Sequence, residues 1–155
     1  MQEQAALTYR VATAADHAVV VAMLQELVDE LGPHDAQGPI RARLDTDIAL
    51  AWQVPHIRIF LAEVGGAAVG LSRGDVLHHD PIFRLRPDNR CGYIDQMYVR
   101  QGYRDRGVGA ALLALCETWF RSLDIHHCLL HAAPRAVRFY ARTGYQPNRE
   151  MFKRL

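Results

Sequence analysis

Two short stretches of the chain carry residue types that do chemistry. The first, Tyr103-Arg104-Asp105-Arg106-Gly107-Val108-Gly109-Ala110, lies between an alternating run ending at Val99 and the most regular helical pattern of the sequence. A glycine-bearing turn that opens a helix aims unpaired N–H groups and the positive end of the helix dipole at one point. Gly107 and Gly109 remove side chains where an anion's oxygens must meet backbone, and Arg104 and Arg106 add positive charge. The segment therefore suits a pyrophosphate cradle; it suits equally a tight turn whose arginines face solvent. It is neither a Walker A loop nor a Gly-x-Gly-x-x-Gly fingerprint. The second stretch, Val137–Tyr145, offers either a phenol at Tyr140 or two core aromatics, Phe139 and Tyr140, on a short helix stopped by Gly144.

The other reactive side chains point to less. His78-His79-Asp80 and His126-His127 with His131 lack metal-ligand spacing, because adjacent strand residues face opposite ways and no helical i, i+4 pair or His-Glu-x-x-His occurs. No metal is expected. The three cysteines, Cys91, Cys116 and Cys128, form no Cys-x-x-Cys pair, so reduced thiols packed in a core are the simplest reading.

The elements that must position these residues follow from periodicity. Leu7–Val11 alternates like a strand, and Thr13 three before Asp16 resembles a capping box. Val20, Met23, Leu24, Leu27, Val28 and Leu31 recur at helical spacing up to Gly32-Pro33, and a second helix from Gly38-Pro39 carries Ile40, Leu44, Ile48, Ala51 and Trp52. Ile57–Val64 and Ala67–Ser72 flank Gly65-Gly66 as a hairpin. A polar stretch, Asp75–Arg90, reads as a long loop before a strand at Tyr93–Val99. Gly107–Leu123 is a helix with Val108, Ala111, Leu112, Leu115, Trp119, Phe120 and Leu123 on its apolar face. A strand at Cys128–Ala132, a helix at Arg135–Thr143 and a terminal strand at Tyr145–Leu155 complete the order. The expected architecture is a single α/β domain over residues 1–155, with a mixed sheet.

Composition narrows the partners. Of 155 residues half are hydrophobic and 23% charged, with 18 Lys plus Arg against 17 Asp plus Glu. That balance gives no reason to expect nucleic acid or an anionic membrane as partner. The apolar runs fall short of the roughly 18–20 residues of a membrane span, and Met1-Gln2-Glu3-Gln4 does not look like a signal peptide, so a cytoplasmic location is expected.

Taken together and in this order, the two chemical stretches resemble the GNAT superfamily of N-acetyltransferases. Its Arg/Gln-x-x-Gly-x-Gly/Ala turn is matched by Arg104–Gly109, its acidic strand ending in Met/Leu-Tyr-Val by Ile94-Asp95-Gln96-Met97-Tyr98-Val99, and its Ala-x-x-Phe-Tyr-x-x-x-Gly-Phe/Tyr by Ala136–Tyr145. The resemblance implies a GNAT-like fold, a mixed and mostly antiparallel sheet flanked by helices, with acetyl-coenzyme A as co-substrate. Backbone groups of Met97, Tyr98 and Val99 would meet the pantetheine arm at a bulge. Arg104, Asp105, Arg106, Gly107, Val108, Gly109 and Ala110 would hold the pyrophosphate, and Tyr140 would stand beside the sulfur. One departure is Ala133, where many members have Asn and a side-chain contact to the coenzyme.

Acetyl transfer to an amine requires deprotonation of the amine, stabilisation of an oxyanion and a proton for the departing thiolate. A strand N–H near Met97 or Tyr98 is expected to serve the second task and Tyr140 the third. For the first, Asp95 stands where relatives have an acidic residue, and by alternation it should share a face with Tyr93, Met97 and Val99. It is expected either to take the proton through water or to bind a cationic substrate or pair with an arginine; Glu63 is a weaker candidate. Asp29, Glu30 and Asp35 favour a cationic amine, of a small molecule or a peptide, as acceptor, whereas Arg84, Arg86 and Arg90 suit a carboxylate. Two other readings remain open: a non-catalytic acyl-coenzyme A sensing module, and an unrelated phosphate-binding protein. A homodimer paired through the terminal strand is also compatible with the sequence.

Overall fold

A computed structural model describes residues 6–32, 37–78, 89–148 and 153–155, without the side chains of residues 37–39 and 41. The alternation of the first segment forms β1 (Leu7–Val11), and a single 3-10 turn over Ala14–Asp16 leads into α1 (His17–Leu31). The Asp16 carboxylate accepts the Thr13 backbone N–H at 2.8 Å, the return half of the expected capping box. It also takes two N–H bonds from Arg10 at 2.8 Å each, and Arg10 reaches Glu63 at 2.7 Å. One guanidinium thus ties the edge strand to the helix entry and to the second strand.

After α2 (Gln37–Ala51) the chain builds β2 (Ile57–Val64), β3 (Ala67–His78) and β4 (Arg90–Val99), then α3 (Val108–Ser122), β5 (Cys128–Leu130) and α4 (Val137–Arg142). Gly65 and Gly66 both take positive φ, 58° and 80°, as the β2–β3 hairpin requires. The sheet runs β1-β2-β3-β4-β5, antiparallel through β4 and parallel only between β4 and β5. It is the mixed, mostly antiparallel sheet that the sequence leads one to expect.

Each face of the sheet carries its own apolar cluster. On one side Val20, Met23 and Leu24 of α1 and Leu44, Ile48 and Ala51 of α2 pack on Ile59, Leu61, Leu71 and Tyr98. On the other, Leu112, Leu113, Cys116, Trp119 and Phe120 of α3 pack on Phe60, Ala62, Val69, Val76 and Ile94. The buried stripe of α3 is turned slightly from the expected one: Leu113 and Cys116 are fully covered, while Ala111 and Leu115 are only half-buried.

Three expectations need correction. β3 does not stop at Ser72; it continues through Asp75 to His78, because Arg73 and Asp75 pair with each other inside the sheet and so tolerate strand burial. Of the loop expected over Asp75–Arg90, residues 79–88 lie outside the described residues. β5 is three residues long, ending at Leu130, and residues 145–148 of the expected terminal strand have no regular structure.

Gly92 sets the spacing between α3 and the β4–β5 junction. A Cβ there would overlap the Phe120 ring, and one at Gly74 would come within 2.9 Å of the same ring. Overpacking of this kind costs about 1–3 kcal/mol. Gly92→Ala is therefore expected to lose that much stability, read in urea as a lower midpoint at an unchanged slope. An unchanged midpoint would show that Phe120 swings aside freely.

Candidate active site

The site begins with a fault in β4. Arg73 lies opposite Gln96 and Gly74 opposite Ile94, so Asp95 is the extra residue of a β-bulge. The bulge resets the alternation. Ile94, Met97 and Val99 face α3, and Tyr98 faces α1 and α2. Asp95 therefore stays with Tyr93 on the α1–α2 face, and Met97 and Val99 lie on the opposite one, correcting the simple alternation expected for them. β5 pairs with Gly92, Tyr93 and Ile94 only. Among the described residues no strand pairs with that edge of β4 beyond the bulge, along Met97, Tyr98 and Val99, where the Val99 carbonyl accepts the Arg104 Nε.

The glycine turn follows directly. Asp105 and Gly107 take left-handed conformations, φ 60° and 79°, and Gly107 is the N-cap of α3. The first bond of the helix runs from Ala111 N–H to Gly107 carbonyl at 3.0 Å, and no side chain caps this end. The N–H groups of Val108, Gly109 and Ala110 consequently lie at the start of the helix, before that first bond. A Cβ at Gly107 would enter open space, and one at Gly109 would lie 3.4 Å from the Phe139 ring. The residues present fit a diphosphate: free donors, the helix dipole and an unfilled volume.

Arg104 does something the sequence did not show. Its Nε donates to the Val99 carbonyl at 2.7 Å, and its Nη2 donates to both oxygens of Glu30 at 2.7 Å. Glu30 also accepts the Tyr98 hydroxyl at 2.9 Å and pairs with Arg135 at 3.2 Å. One turn earlier on α1, Glu26 takes a two-point bond from Arg100 at 2.7 and 3.0 Å. Arg104 is thus part of a latch between α1 and the turn, and Arg106 lies 5.9 Å from the Tyr103 ring.

Two titratable side chains lie on opposite faces of the sheet. Asp95 is 34% exposed; its Oδ2 lies 3.5 Å from Arg73 Nη1. Burial against neighbouring elements pushes its pKa up, the Arg73 charge opposes this, and Asp75 and Asp47 reinforce it. Arg73 itself donates two bonds to Asp75 at 2.8 Å each. Sequence reasoning singles out neither Arg73 nor Asp75, although their i, i+2 spacing places them on one strand face once β3 is extended past Ser72. Tyr140 packs on the α3 side, edge-on to Phe139 and Tyr145 with centroids 5.0 and 5.7 Å apart. Burial pushes its pKa up to about 12.

The remaining candidates are occupied elsewhere. Glu63 serves Arg10, and Arg90 donates to the Leu123 carbonyl at 2.6 Å at the end of α3. His126 bonds Asp124, and His131 bonds the Tyr93 hydroxyl at 2.7 Å. No three or more His, Cys, Asp or Glu among the described residues could hold a metal together. Burial raises the Cys116 and Cys128 thiols to about 12 and 11, which leaves neither a ready nucleophile. Asp35, His79, Asp80, Arg84 and Arg86 lie outside the described residues. No helix is long and apolar enough to cross a membrane among those described.

The fold is that of solved N-acetyltransferases. A GCN5-related N-acetyltransferase from Ralstonia eutropha JMP134 superposes with a TM-score of 0.80 at 26% identity, over 97% of this chain and 99% of the other. A predicted acetyltransferase from Clostridium acetobutylicum, solved with acetyl-CoA, gives 0.84 at 18%, over 97% and 96%. The aminoglycoside N-acetyltransferase AAC(6')-Iy, solved with a bisubstrate analogue, CoA-S-monomethyl-acetylneamine, gives 0.76 at 18%, over 97% and 98%. No curated protein sequence matches the chain. The sequence profile of the acetyltransferase (GNAT) family matches residues 20–145, and the chain belongs to that family.

The α1 latch predicts an acid-sensitive fold. Burial would raise the Glu30 carboxyl, but its bonds from Arg104 and Tyr98 and the Arg135 charge hold it below its ordinary value; Arg100 does the same for Glu26. Their stabilisation is complete above the unfolded value of about 4.3 and is lost as pH falls through the lowered folded values. Glu30→Ala is expected to cost about 1–2 kcal/mol at neutral pH, with the difference from the parent shrinking on acidification. Urea unfolding at a series of pH values checks this, and a pH-independent difference would assign the loss to packing.

Proposed function

We propose that this acetyltransferase moves an acetyl group from acetyl-coenzyme A to the primary amine of a small molecule, with both bound at once. The open edge of β4 beside the uncapped start of α3 carries the proposal. Acetyl-coenzyme A supplies the activated acetyl thioester. Met97, Tyr98 and Val99 offer strand backbone to the pantetheine arm and an N–H for the oxyanion. Residues Arg104–Ala110 hold the diphosphate, chiefly through the N–H groups of Val108, Gly109 and Ala110. The bisubstrate analogue carried by AAC(6')-Iy favours a single complex holding donor and acceptor.

The acceptor approaches on the Asp95 face. Asp47, Asp75 and Asp95 act on that face against the Arg73 guanidinium, with Arg43 3.9 Å from Asp47 as the second cation, so the acids outnumber these two and a cationic amine is favoured. Such an amine is almost wholly protonated at neutral pH, with a pKa of about 10, and must lose a proton before it attacks. Asp95 accepts that proton, directly or through water, and its raised pKa makes it a stronger base than an ordinary carboxylate. Tyr140 works from the other face. Its pKa of about 12 keeps the phenol protonated throughout the neutral range. A thiol's pKa is about 8.5, so complete proton transfer from the phenol to a thiolate is uphill by roughly 3–4 units. Tyr140 therefore stabilises the departing sulfur by donating a hydrogen bond while retaining its proton.

Calorimetric titration with acetyl-coenzyme A, followed by thiol release across a panel of amines, tests the reading. Micromolar binding with release for one amine class is expected. Binding without release from any amine would leave a sensing module, and absence of binding would overturn the cradle. Gly107→Val is expected to weaken coenzyme binding at least about tenfold, since its side chain would fill the open volume at a positive φ. Tyr140→Phe is expected to lower kcat more than coenzyme affinity. Equal turnover would remove Tyr140 from the chemistry.

A further inference from the structure

Arg73 is the cation nearest to Asp95, yet it is committed to Asp75. Two of its N–H groups meet the two Asp75 oxygens at 2.8 Å, whereas Asp95 receives only a single approach at 3.5 Å. Side-chain exposures of 11% for Arg73 and 14% for Asp75, against 34% for Asp95, show the same division: a covered pair and an open carboxylate beside it. The geometry has a simple origin. Arg73 and Asp75 are two residues apart on β3 and so share a face, and the bulge pushes Asp95 out of register with both. A carboxylate in direct two-point contact with a guanidinium is a poor base, because the ion pair stabilises its charged form.

We propose that Asp75 is a positioning residue for the reaction: by occupying the paired edge of Arg73 it keeps the guanidinium from neutralising Asp95, and leaves that carboxylate free to accept the amine's proton. The proposal rests on Asp95 being the base. Asp47 from α2, itself 3.9 Å from Arg43, also acts on Asp95; Tyr93 on β4 shares the face, with its hydroxyl bound to His131. Asp47 is negative and works in the same direction as Asp75. Without the Asp75 charge, Asp95 at 3.5 Å is the nearest acid left to Arg73 among the described residues, and Asp47 of α2 acts from farther off.

The test reads Asp95 directly, in ligand-free full-length protein, by following its carboxyl 13C shift against pH; Asp95→Asn identifies the resonance. In Asp75→Asn the midpoint is expected to fall by about one unit or more as Arg73 turns to Asp95. The acidic limb of kcat/KM should move down with it, and plateau kcat should fall. An unchanged or higher midpoint overturns the proposal whatever the rates do. A lowered midpoint with an unmoved rate profile upholds the electrostatic role of Asp75 and removes Asp95 as the base. Should Asp75→Asn fail to fold, the double variant Arg73→Met/Asp75→Asn removes both charges together. Its Asp95 midpoint must then lie at or above the parent's, and a lower one overturns the proposal.

Discussion

Everything in the candidate site depends on β4 being paired along one edge and released along the other. β3 holds it as far as Val99, while β5 leaves after Ile94. In a continuous parallel sheet the backbone of Met97–Val99 would be consumed by ladder hydrogen bonds and closed to a ligand. The bulge at Asp95 falls where the release begins, and it turns a carboxylate and a run of backbone toward one opening. Gly92 and Phe120 pin the junction just before it, so the last paired residues are rigid and the first unpaired ones begin abruptly.

The ionic contacts around the opening divide into two sets with different work. Glu26 and Glu30 bind Arg100, Arg104 and Arg135, and so fasten α1 to the end of β4, to the glycine turn and to the segment after β5. Arg104, which by its position in the turn looks like an anion ligand, is bonded to Glu30 and to the Val99 carbonyl. Arg73, Asp75 and Asp95 form the second set, and their unequal distances matter more than their number. The first set fastens α1 to its neighbours; the second leaves Asp95 farther from Arg73 than Asp75 is.

What is local is legible in the sequence. The strands at Leu7–Val11 and Ile57–Val64, the hairpin at Gly65-Gly66, the helix behind Gly107 and the short helix bearing Tyr140 all follow from period and turn chemistry. What stays hidden is long-range. A bulge leaves no mark on alternation until the partner strand is known, so simple alternation gives Asp95 the face of Met97 and Val99. The polar pair Arg73 and Asp75 resembles the start of a loop, because burial of charge is tolerable only once its partner is seen. Glu30 and Arg104 are 74 residues apart, and no spacing rule connects them. The pairing of these charged side chains therefore comes from the fold and not from the motif.

The two apolar clusters have a consequence for the nascent chain. β1 to β4 with α1 and α2 can complete the first cluster as soon as Val99 has emerged, but the other face of the same sheet then presents Phe60, Ala62, Val69, Val76 and Ile94 with nothing over them. Such a bare apolar sheet is the kind of surface through which partly made proteins aggregate. Its cover, α3, begins at Val108, only a short turn beyond the end of β4 at Val99. The glycine turn between them is therefore also the short tether that delivers the covering helix during synthesis. Lengthening it would prolong the interval in which half the sheet is exposed.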